Sequence, residues 1–353
     1  MAEVIIGVGS YIPQTKIINS HFLNHRFLNE DGSAINDTND NIIRKFQAIT
    51  GIDERLYAPE GVTASNMASI AAQKAIEDAK IDPETLDYII VAHNFGDMQD
   101  KNVQGDTVPS LATRVKYELK IKNPNCVGYD LLFGCPGWLE GMIHARAFIK
   151  SGMAKRILVI GTETLSRVVD DHDRDSMIFS DGAGATIIEY KNSEDVGIIA
   201  HKSATYASAE ANYLTFDGSY NKENLQPTKY IKMSGRKIYN FALTKVPAAM
   251  KACLDESGYT IKDVKKLLIH QANEKMDQAI CDRFYQLFDV PAPKNVMPMS
   301  IQKLGNSSVA TLPTLLDLVT RKQLKDQSIE KGDVVLFASV GAGMNINAAV
   351  YKF

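Results

Sequence analysis

The sequence predicts a layered α/β protein built from two related halves, because three short patterns each occur twice and in the same order. The first is a helix end followed by a buried strand, the second is a glycine and a thiol or amide side chain before a helix, and the third is a glycine-rich run before a strand. Such recurrence indicates a duplicated module, and the spacing shrinks because the first half carries extra loop. The matching pairs are 75–91 with 253–269, 134–135 with 305–306, and 182–184 with 341–343.

A hydrophilic segment, Lys191-Asn192-Ser193-Glu194-Asp195, is the natural boundary between the halves. It divides the chain into an N-terminal half, 1–192, and a C-terminal half, 193–353. Two α/β modules with buried strands imply a helix–sheet–helix body with an internal pseudo-twofold axis. The strand ends of both halves would then face one central cavity.

The first elements of the chain follow from local patterns. A strand is predicted at 4–8, followed by a polar, Asn- and Asp-rich segment at 19–40 that we interpret as surface loop and short helix. A helix is predicted at 63–80, since Thr63 is a capping residue and alanines alternate with polar positions after it. The continuously apolar run 86–92 is typical of a strand covered on both faces.

The segment around Cys135 predicts a reactive thiol at a helix N-terminus. An apolar strand stops at Gly134, the cysteine follows on a tight turn, and Pro136 suits the first helical position because its missing N–H would have no partner there. The dipole and the free N–H groups of a helix start favour an anion, so we expect a lowered thiol pKa. The alternative is a buried structural cysteine, a common location for free thiols.

Composition excludes several classes of function. The 39 Lys and Arg residues are balanced by 42 Asp and Glu residues, so no overall charge favours nucleic acid or an anionic membrane as a partner. No apolar stretch is long enough to span a bilayer or to serve as a signal peptide. The cysteines show no CxxC spacing, which argues against a zinc site or a disulfide framework and favours a cytoplasmic protein. They are Cys126, Cys135, Cys253 and Cys281.

Two further side chains are candidates because the duplication would bring them to the same cavity as the thiol. His270 directly follows the apolar strand 264–269, where the alternative is a satisfied core or capping histidine. Asn306 precedes a helix at 307–318 that it could simply cap, or it could be an N-x-S glycosylation acceptor, which a cytoplasmic chain would leave unused. Its functional interpretation is a neutral donor that polarises a carbonyl oxygen alongside His270.

The two glycine-rich runs have neither Rossmann nor P-loop spacing, so they are not predicted to bind phosphate. At 182–184 and at 341–343 we predict a tight turn before an edge or hairpin strand. In the second run, the N–H of Ala342 would point into the cavity as an oxyanion donor. His93 also deserves notice, because its strand is the first-half counterpart of the strand that ends at His270.

Three motifs together resemble the Cys-His-Asn triad of β-ketoacyl-acyl-carrier-protein synthase III: Cys135 in Gly-Cys-Pro-Gly, His270 in His-Gln-Ala-Asn and Asn306 in Gly-Asn-Ser-Ser. The similarity extends over essentially the whole chain. It implies the thiolase-like five-layer αβαβα fold built from two duplicated halves, with the nucleophile in 1–192 and the histidine and asparagine in 193–353, and usually a homodimer. Further matching segments are 50–52, 173–174, 179–185, 233–235 and 341–343.

The resemblance implies an acyltransferase that performs a decarboxylating Claisen condensation, in fatty-acid initiation or a related specialised pathway, and needs no cofactor or metal. Cys135 would take an acyl group as a thioester while the N–H groups of Cys135 and Ala342 hold the oxyanion. His270 and Asn306 would then stabilise the enolate formed when a malonyl-type carrier-protein thioester loses carbon dioxide. In the thiolase branch a second catalytic cysteine is expected in the loop 341–344, which has none.

Two other functions remain open at this point. One is non-decarboxylating acyl transfer or thioester hydrolysis through the same thiol. The other is a non-catalytic ketosynthase-like partner subunit, against which the intact triad counts. An α/β-hydrolase elbow would read G-x-C-x-G, whereas Phe133 occupies the position of its first glycine.

The resemblance also implies substrate-binding residues. Arg174 matches an arginine that contacts the adenine of coenzyme A, Asn273 matches a residue near the pantetheine arm, and Lys275 stands where the family has an arginine that contacts the carrier protein. The tryptophan that stacks on the other face of the adenine has no counterpart in 44–47. The expected partners are therefore acyl carrier protein and coenzyme A thioesters, with the carrier protein favoured as donor.

The loop 94–109 is longer and more polar than the family's corresponding loop. One interpretation is a harmless surface insertion. We expect instead that it alters the acyl tunnel or a dimer contact.

Overall fold

The computed structural model describes residues 2–100, 102–193, 195–224 and 226–353. Within these residues the α-helices are α1 (Asn39–Thr50), α2 (Ala64–Ala79), α3 (Leu111–Glu118), α4 (Gly137–Lys150), α5 (Gly235–Ser257), α6 (Glu274–Gln286), α7 (Ile301–Leu304) and α8 (Thr311–Thr320). The strands are β1 (Ala2–Tyr11), β2 (Thr15–Ile18), β3 (Glu54–Tyr57), β4 (Tyr88–Ala92), β5 (Asp97–Gln99), β6 (Asn102–Asp106), β7 (Val127–Leu131), β8 (Arg156–Thr164), β9 (Asp181–Lys191), β10 (Gly197–Thr205), β11 (Leu214–Gly218), β12 (Lys229–Met233), β13 (Val264–Ile269), β14 (Val334–Gly341) and β15 (Asn345–Lys352).

Two main sheets repeat one strand order, which confirms the duplication. The first sheet has the order β1-β9-β8-β4-β7 and the second has the order β10-β15-β14-β13. The directions also match, because the first two pairings of each sheet are antiparallel and the third is parallel. The first sheet has a fifth strand, β7, next to β4. At the corresponding place in the second sheet, on the side of β13 that faces away from β14, the amide of Leu267 donates to the carbonyl of Val296.

The sheets and helices stack in five layers, as the fold class predicted. Helices α2 and α3 cover the outer face of the first sheet, and α5 and α6 cover the outer face of the second. Helices α4 and α8 lie between the sheets and contact both. Every residue of α8 from Thr311 to Val319 is buried, as expected for a helix enclosed on all sides.

The division of the chain at 192/193 stays a prediction, although the sheets are distributed in accordance with it. The first sheet draws its strands from residues 2–191 and the second from residues 197–352. Glu194, within the proposed boundary segment, lies outside the described residues. Helix α8 comes from the second half but packs against β1 and β9 of the first, so the middle layer joins the halves.

Most of the locally predicted elements are confirmed. Helix α2 has Thr63 as its N-cap, and Asn66 completes a reciprocal capping box with it. Strand β4 is buried from Ile89 to Ala92 and pairs in parallel with both neighbours. Among the described residues, no helix is both long enough and apolar enough to cross a membrane.

The turn predicted at 182–184 is wrong, because these residues lie inside β9, between β1 and β8. The small residues serve close packing against the middle layer. A Cβ atom on Gly184 would lie 2.7 Å from the ring of Pro313 in α8. The turn predicted at 341–343 is confirmed, since β14 ends at Gly341 and the antiparallel partner β15 starts at Asn345.

Gly184→Ala is expected to destabilise the protein by about 1–3 kcal/mol, because the added methyl group overpacks the contact between β9 and α8. Urea denaturation would measure the loss. Gly218→Ala is the matched control, because a Cβ atom on Gly218 meets nothing within 4 Å. Equal stability of the two variants would contradict the packing argument.

Candidate active site

Cys135 lies on a loop between β7 and α4. Gly134 has a left-handed φ of 72°, and its carbonyl accepts a hydrogen bond from the amide of Gly137, which closes a tight turn around the cysteine. The strand ends earlier than predicted, at Leu131, and Pro136 is the N-cap residue instead of the first helical residue. The predicted order of strand, turn and helix holds, with the thiol two residues before the helix.

The Cys135 turn packs directly against the turn that follows β14 in the second half. A Cβ atom on Gly134 would lie 2.8 Å from the amide nitrogen of Ala342, and one on Gly341 would lie 2.5 Å from the amide nitrogen of Cys135. The side-chain amide of Asn345 donates to the carbonyls of both Phe133 and Ala342. The amides of Cys135 and Ala342, predicted as the oxyanion donors, therefore lie on adjoining turns.

His270 directly follows β13, in the second sheet. Its amide donates to the carbonyl of Ala338 in β14, and its side chain is buried. Its ring nitrogen Nδ1 has no hydrogen-bond partner among the described residues. Burial lowers the pKa of His270 to about 4. The ring is consequently neutral near neutral pH and is available as a hydrogen-bonding group at the end of its strand.

Asn306 is fixed between the two halves. Its amide donates to the carbonyl of Ile178, and its carbonyl accepts from the amide of Ser180. Its side-chain oxygen accepts from the amide of Ser308. The helix predicted at 307–318 is interrupted, because a 3-10 turn at Ser308–Ala310 precedes α8.

A hydroxyl group contacts the thiol, and sequence reasoning missed it. The Oγ of Ser308 donates to the Sγ of Cys135 at 3.3 Å. Ser308 was visible in the Gly-Asn-Ser-Ser motif, but the pattern gave no reason to separate it from a helix-start serine. Through Ser308, the structure brings the predicted Asn306 and Cys135 into one hydrogen-bonded group.

The expectation of a lowered thiol pKa is wrong. Burial raises the pKa of Cys135 to about 11, and the nearby carboxylate of Glu163 adds to the increase. The hydrogen bond from Ser308 acts in the opposite direction but is outweighed. The argument from the helix dipole was local, whereas loss of solvent is a property of the folded surroundings.

A cavity of about 630 Å³ links the surface to Asn306. Its wall is mostly apolar, and Arg174, Asn273 and Asn306 contribute polar groups. Asn273 also caps α6, because its side-chain oxygen accepts from the amide of Met276. Lys275 is exposed on the first turn of α6 and is not a lining residue. The apolar part of the wall includes Ile42, Phe46, Ile49, Ile178, Met233, Ile238 and Met276.

Phe46 and Trp138 are both buried. Phe46 contributes to the cavity wall, and the guanidinium of Arg55 is 5.9 Å from its ring. Trp138 is buried in the middle layer, and its indole N–H donates to Thr186.

His93 is a satisfied histidine. Its Nε2 is 3.0 Å from a carboxylate oxygen of Asp130, and its Nδ1 accepts from the amide of Gly96. It therefore differs from His270, its counterpart in the second half, whose Nδ1 has no partner among the described residues.

The loop 94–109 contains the hairpin β5–β6 and is tied to the body by polar contacts. Asp97 accepts from Ser65 and from Arg114, and Asp100 accepts from the amide of Gly61. Lys101, within this loop, lies outside the described residues. An influence on the acyl tunnel or on a dimer contact stays a prediction.

Comparison with known families gives matches in both halves. Residues 129–207 match the family described as 3-oxoacyl-[acyl-carrier-protein (ACP)] synthase III, and residues 254–353 match the C-terminal family of the same enzyme. The two matches contain Cys135, His270 and Asn306.

Relatives and solved structures match over the full length. Beta-ketoacyl-[acyl-carrier-protein] synthase III 1 of Bacillus anthracis is 31% identical over 350 residues, which cover 99% of this chain and 98% of the relative. Beta-ketoacyl-[acyl-carrier-protein] synthase III of Ruegeria pomeroyi is 32% identical over 359 residues, with the same coverage. The crystal structure of 3-oxoacyl-[acyl-carrier-protein] synthase III from Aquifex aeolicus VF5 superposes with a TM-score of 0.81 at 29% identity and covers 100% of both chains.

The raised thiol pKa predicts how Cys135 reacts with iodoacetamide in the unliganded protein. Since the thiolate is the nucleophile, the alkylation rate should keep rising between roughly pH 7 and pH 9, without a plateau. Mass spectrometry of the Cys135 peptide would measure it. The buried Cys126, Cys253 and Cys281 are internal controls that should remain unmodified. A plateau below about pH 8 would mean that the pKa is lowered after all.

Proposed function

We propose that this chain, which belongs to the 3-oxoacyl-[acyl-carrier-protein] synthase III family, joins an acyl group to a malonyl-type carrier-protein thioester at the Cys135 thiol in the condensation that initiates fatty-acid synthesis. It is an acyltransferase of the condensing type. The observation that carries the site assignment is the meeting of the Cys135 turn with Asn306 and Ala342 of the other half.

The first step is transfer of the acyl group to Cys135. The thiolate attacks the carbonyl carbon of an acyl thioester, the carbon–sulfur bond to the donor breaks, and the donor thiol leaves with a proton. The amides of Cys135 and Ala342 hold the oxyanion of the tetrahedral intermediate. The close contact between their turns supports this assignment. A Cβ atom at position 134 or 341 would collide with the opposite turn, so glycine is needed at both positions.

The second step is decarboxylation followed by carbon–carbon bond formation. His270 and Asn306 donate hydrogen bonds to the thioester carbonyl of the malonyl unit, carbon dioxide leaves, and the enolate carbon attacks the acyl carbon on Cys135. Cys135 is then released as the new β-keto thioester forms. The lowered pKa of His270 supports its role as a neutral donor instead of a charged acid.

The cavity is proposed to hold the phosphopantetheine arm that coenzyme A and acyl carrier protein share. Its apolar wall suits the extended arm, and Asn273 and Asn306 offer amide groups along it. Arg174, exposed at the cavity, is proposed to contact the phosphate or adenine of coenzyme A. Lys275 is proposed to contact an acidic carrier protein.

A cytoplasmic homodimer is the proposed state of the protein. The first sheet ends in the open edge strand β7, and Val127 on it and Leu132 after it are 47% and 66% exposed. Val108 and Tyr117 are also exposed, at 83% and 80%. An open strand edge beside exposed apolar side chains favours pairing with a second copy. The free cysteines favour a reducing compartment.

Three substitutions should separate the two steps. Cys135→Ala is expected to abolish the acyl adduct and the condensation, whereas His270→Ala and Asn306→Ala should still become acylated. The latter two should lose about 10²–10³-fold in condensation, or about 2.7–4 kcal/mol, because each removes one donor to the enolate oxygen. Mass spectrometry would detect the adduct, and labelled carbon dioxide from a malonyl thioester would report decarboxylation.

Cys281→Ala, which removes a buried thiol in α6, is the control and should retain both steps. Condensation at the normal rate by Cys135→Ala would overturn the assignment. An acyl adduct without carbon dioxide release in the unmodified protein would instead favour acyl transfer or hydrolysis, and no adduct from any donor would favour a non-catalytic subunit.

Donor choice should respond to two different charges. Arg174→Ala is expected to raise KM for an acyl-coenzyme A about tenfold, through loss of a charged hydrogen-bond donor. Lys275→Glu should raise KM for carrier-protein thioesters and leave that for coenzyme A thioesters unchanged. Lys331→Glu is the control, because Lys331 is also an exposed lysine but lies before the start of β14, at the opposite end of that strand from Gly341. Equal effects of Lys275→Glu on both donor classes would contradict the carrier-protein contact.

A further inference from the structure

A chain of hydrogen bonds leads from the Cys135 thiol to a buried carboxylate that the proposed reaction does not use. Ser308 Oγ donates to Cys135 Sγ at 3.3 Å and accepts from the side-chain amide of Asn94 at 3.1 Å. The backbone amide of Asn94 donates to Glu163 Oε1 at 2.5 Å. The chain thus joins the loop after β4, the end of β8 and the segment before α8 on the side of the thiol.

Ser308 is held in a conformation that residues with a Cβ atom rarely adopt. Its φ is 51°, in the left-handed region, and its side chain is buried. The side-chain oxygen of Asn306 accepts from the Ser308 amide at 2.8 Å and helps to maintain this conformation. Strain that the surroundings maintain is typical of functional positions, and here it aims a hydroxyl at the thiol.

Glu163 is a second unusual feature of the same chain. Its side chain is 2% exposed, and its Oε2 has no hydrogen-bond partner among the described residues. The titratable groups that face it are Cys135, His93 and Asp181. Asp181 accepts from Ser166 and from the amide of Ala58, while His93 is engaged with Asp130 and Gly96, so none of these groups neutralises Glu163 by an ion pair.

We infer that Glu163, Asn94 and Ser308 are positioning residues that orient the Cys135 thiol and control its ionisation. Glu163 fixes Asn94, Asn94 orients the Ser308 hydroxyl, and that hydroxyl stabilises the thiolate. The negative charge of ionised Glu163 opposes the effect of Ser308, because a nearby negative charge disfavours formation of the thiolate. Asn94 donates at both of its contacts and passes no proton, so the chain orients and tunes the nucleophile without accepting its proton.

The protonation state of Glu163 determines the pH range in which its charge disfavours the Cys135 thiolate. Burial raises the pKa of Glu163 to about 7, and Asp181 adds to the increase. Below this pH the carboxyl is neutral and leaves the thiol unaffected. Above it the ionised carboxylate of Glu163 raises the pKa of Cys135.

Two substitutions are therefore expected to act in opposite directions on alkylation of Cys135 by iodoacetamide. Ser308→Ala should slow it about tenfold at roughly pH 8, because the thiolate loses a hydrogen bond. Glu163→Gln keeps an acceptor for Asn94 and removes the charge. Its rate should equal that of the unmodified protein near pH 6 and exceed it by about tenfold near pH 9.

The controls make the same chemical changes at other positions. Ser307→Ala removes the adjacent buried hydroxyl, which is 3.4 Å from Thr311 Oγ1. Glu189→Gln removes a carboxylate from β9, eight residues along the strand from Asp181. Both should leave the pH dependence unchanged. If Glu163→Gln does not fold, Asn94→Ala should still slow alkylation, because it removes the donor that orients Ser308.

The inference is overturned if Ser308→Ala is not slower, or if the ratio of the Glu163→Gln rate to the unmodified rate does not change with pH. A general disturbance of the fold would change both variants in the same direction. The inference rests on the proposed function in taking Cys135 as the nucleophile, but alkylation needs no substrate. Failure of acylation with every donor would therefore be distinguishable from failure of this test.

Discussion

The contact between two turns, one after β7 and one after β14, is the constraint on which the site depends. A Cβ atom on Gly134 would lie 2.8 Å from the amide nitrogen of Ala342, and one on Gly341 would lie 2.5 Å from the amide nitrogen of Cys135, so neither position has room for a side chain. This approach sets the amide of Cys135 beside that of Ala342 and brings the thiol of one half to the strand ends of the other. A side chain at either glycine would separate the turns and with them the two halves of the site.

Duplication explains why the functional groups of two halves converge on one place. Gly134 and Gly305 occupy corresponding positions before α4 and α8, and both have left-handed φ values, of 72° and 65°. One turn carries a thiol and the other an amide, so the pseudo-twofold arrangement was retained while the chemistry diverged. The histidines at the ends of β4 and β13 diverged as well, because His93 is fully hydrogen-bonded whereas His270 Nδ1 has no partner among the described residues.

Burial determines the electrostatic character of the site. It raises the pKa of Cys135 to about 11 and lowers that of His270 to about 4, so both groups are neutral near neutral pH. A neutral thiol and a neutral imidazole cost less to bury than an ion pair. The hydroxyl of Ser308 donates to the sulfur of Cys135, so one hydrogen bond favours the thiolate against the effect of burial.

The sequence by itself determined a layered α/β fold built from two duplicated halves, the capped helix α2, the buried strand β4 and the Cys135, His270 and Asn306 motifs, whose resemblance to a known family implied the five layers. These depend on local patterns and on the order in which they recur. Only the tertiary structure decided that residues 182–184 are inside a strand, that the thiol pKa is raised, and that Ser308, Asn94 and Glu163 surround the thiol. Each of these depends on burial or on contacts between residues far apart in the chain, and such contacts leave no periodic signal in the sequence.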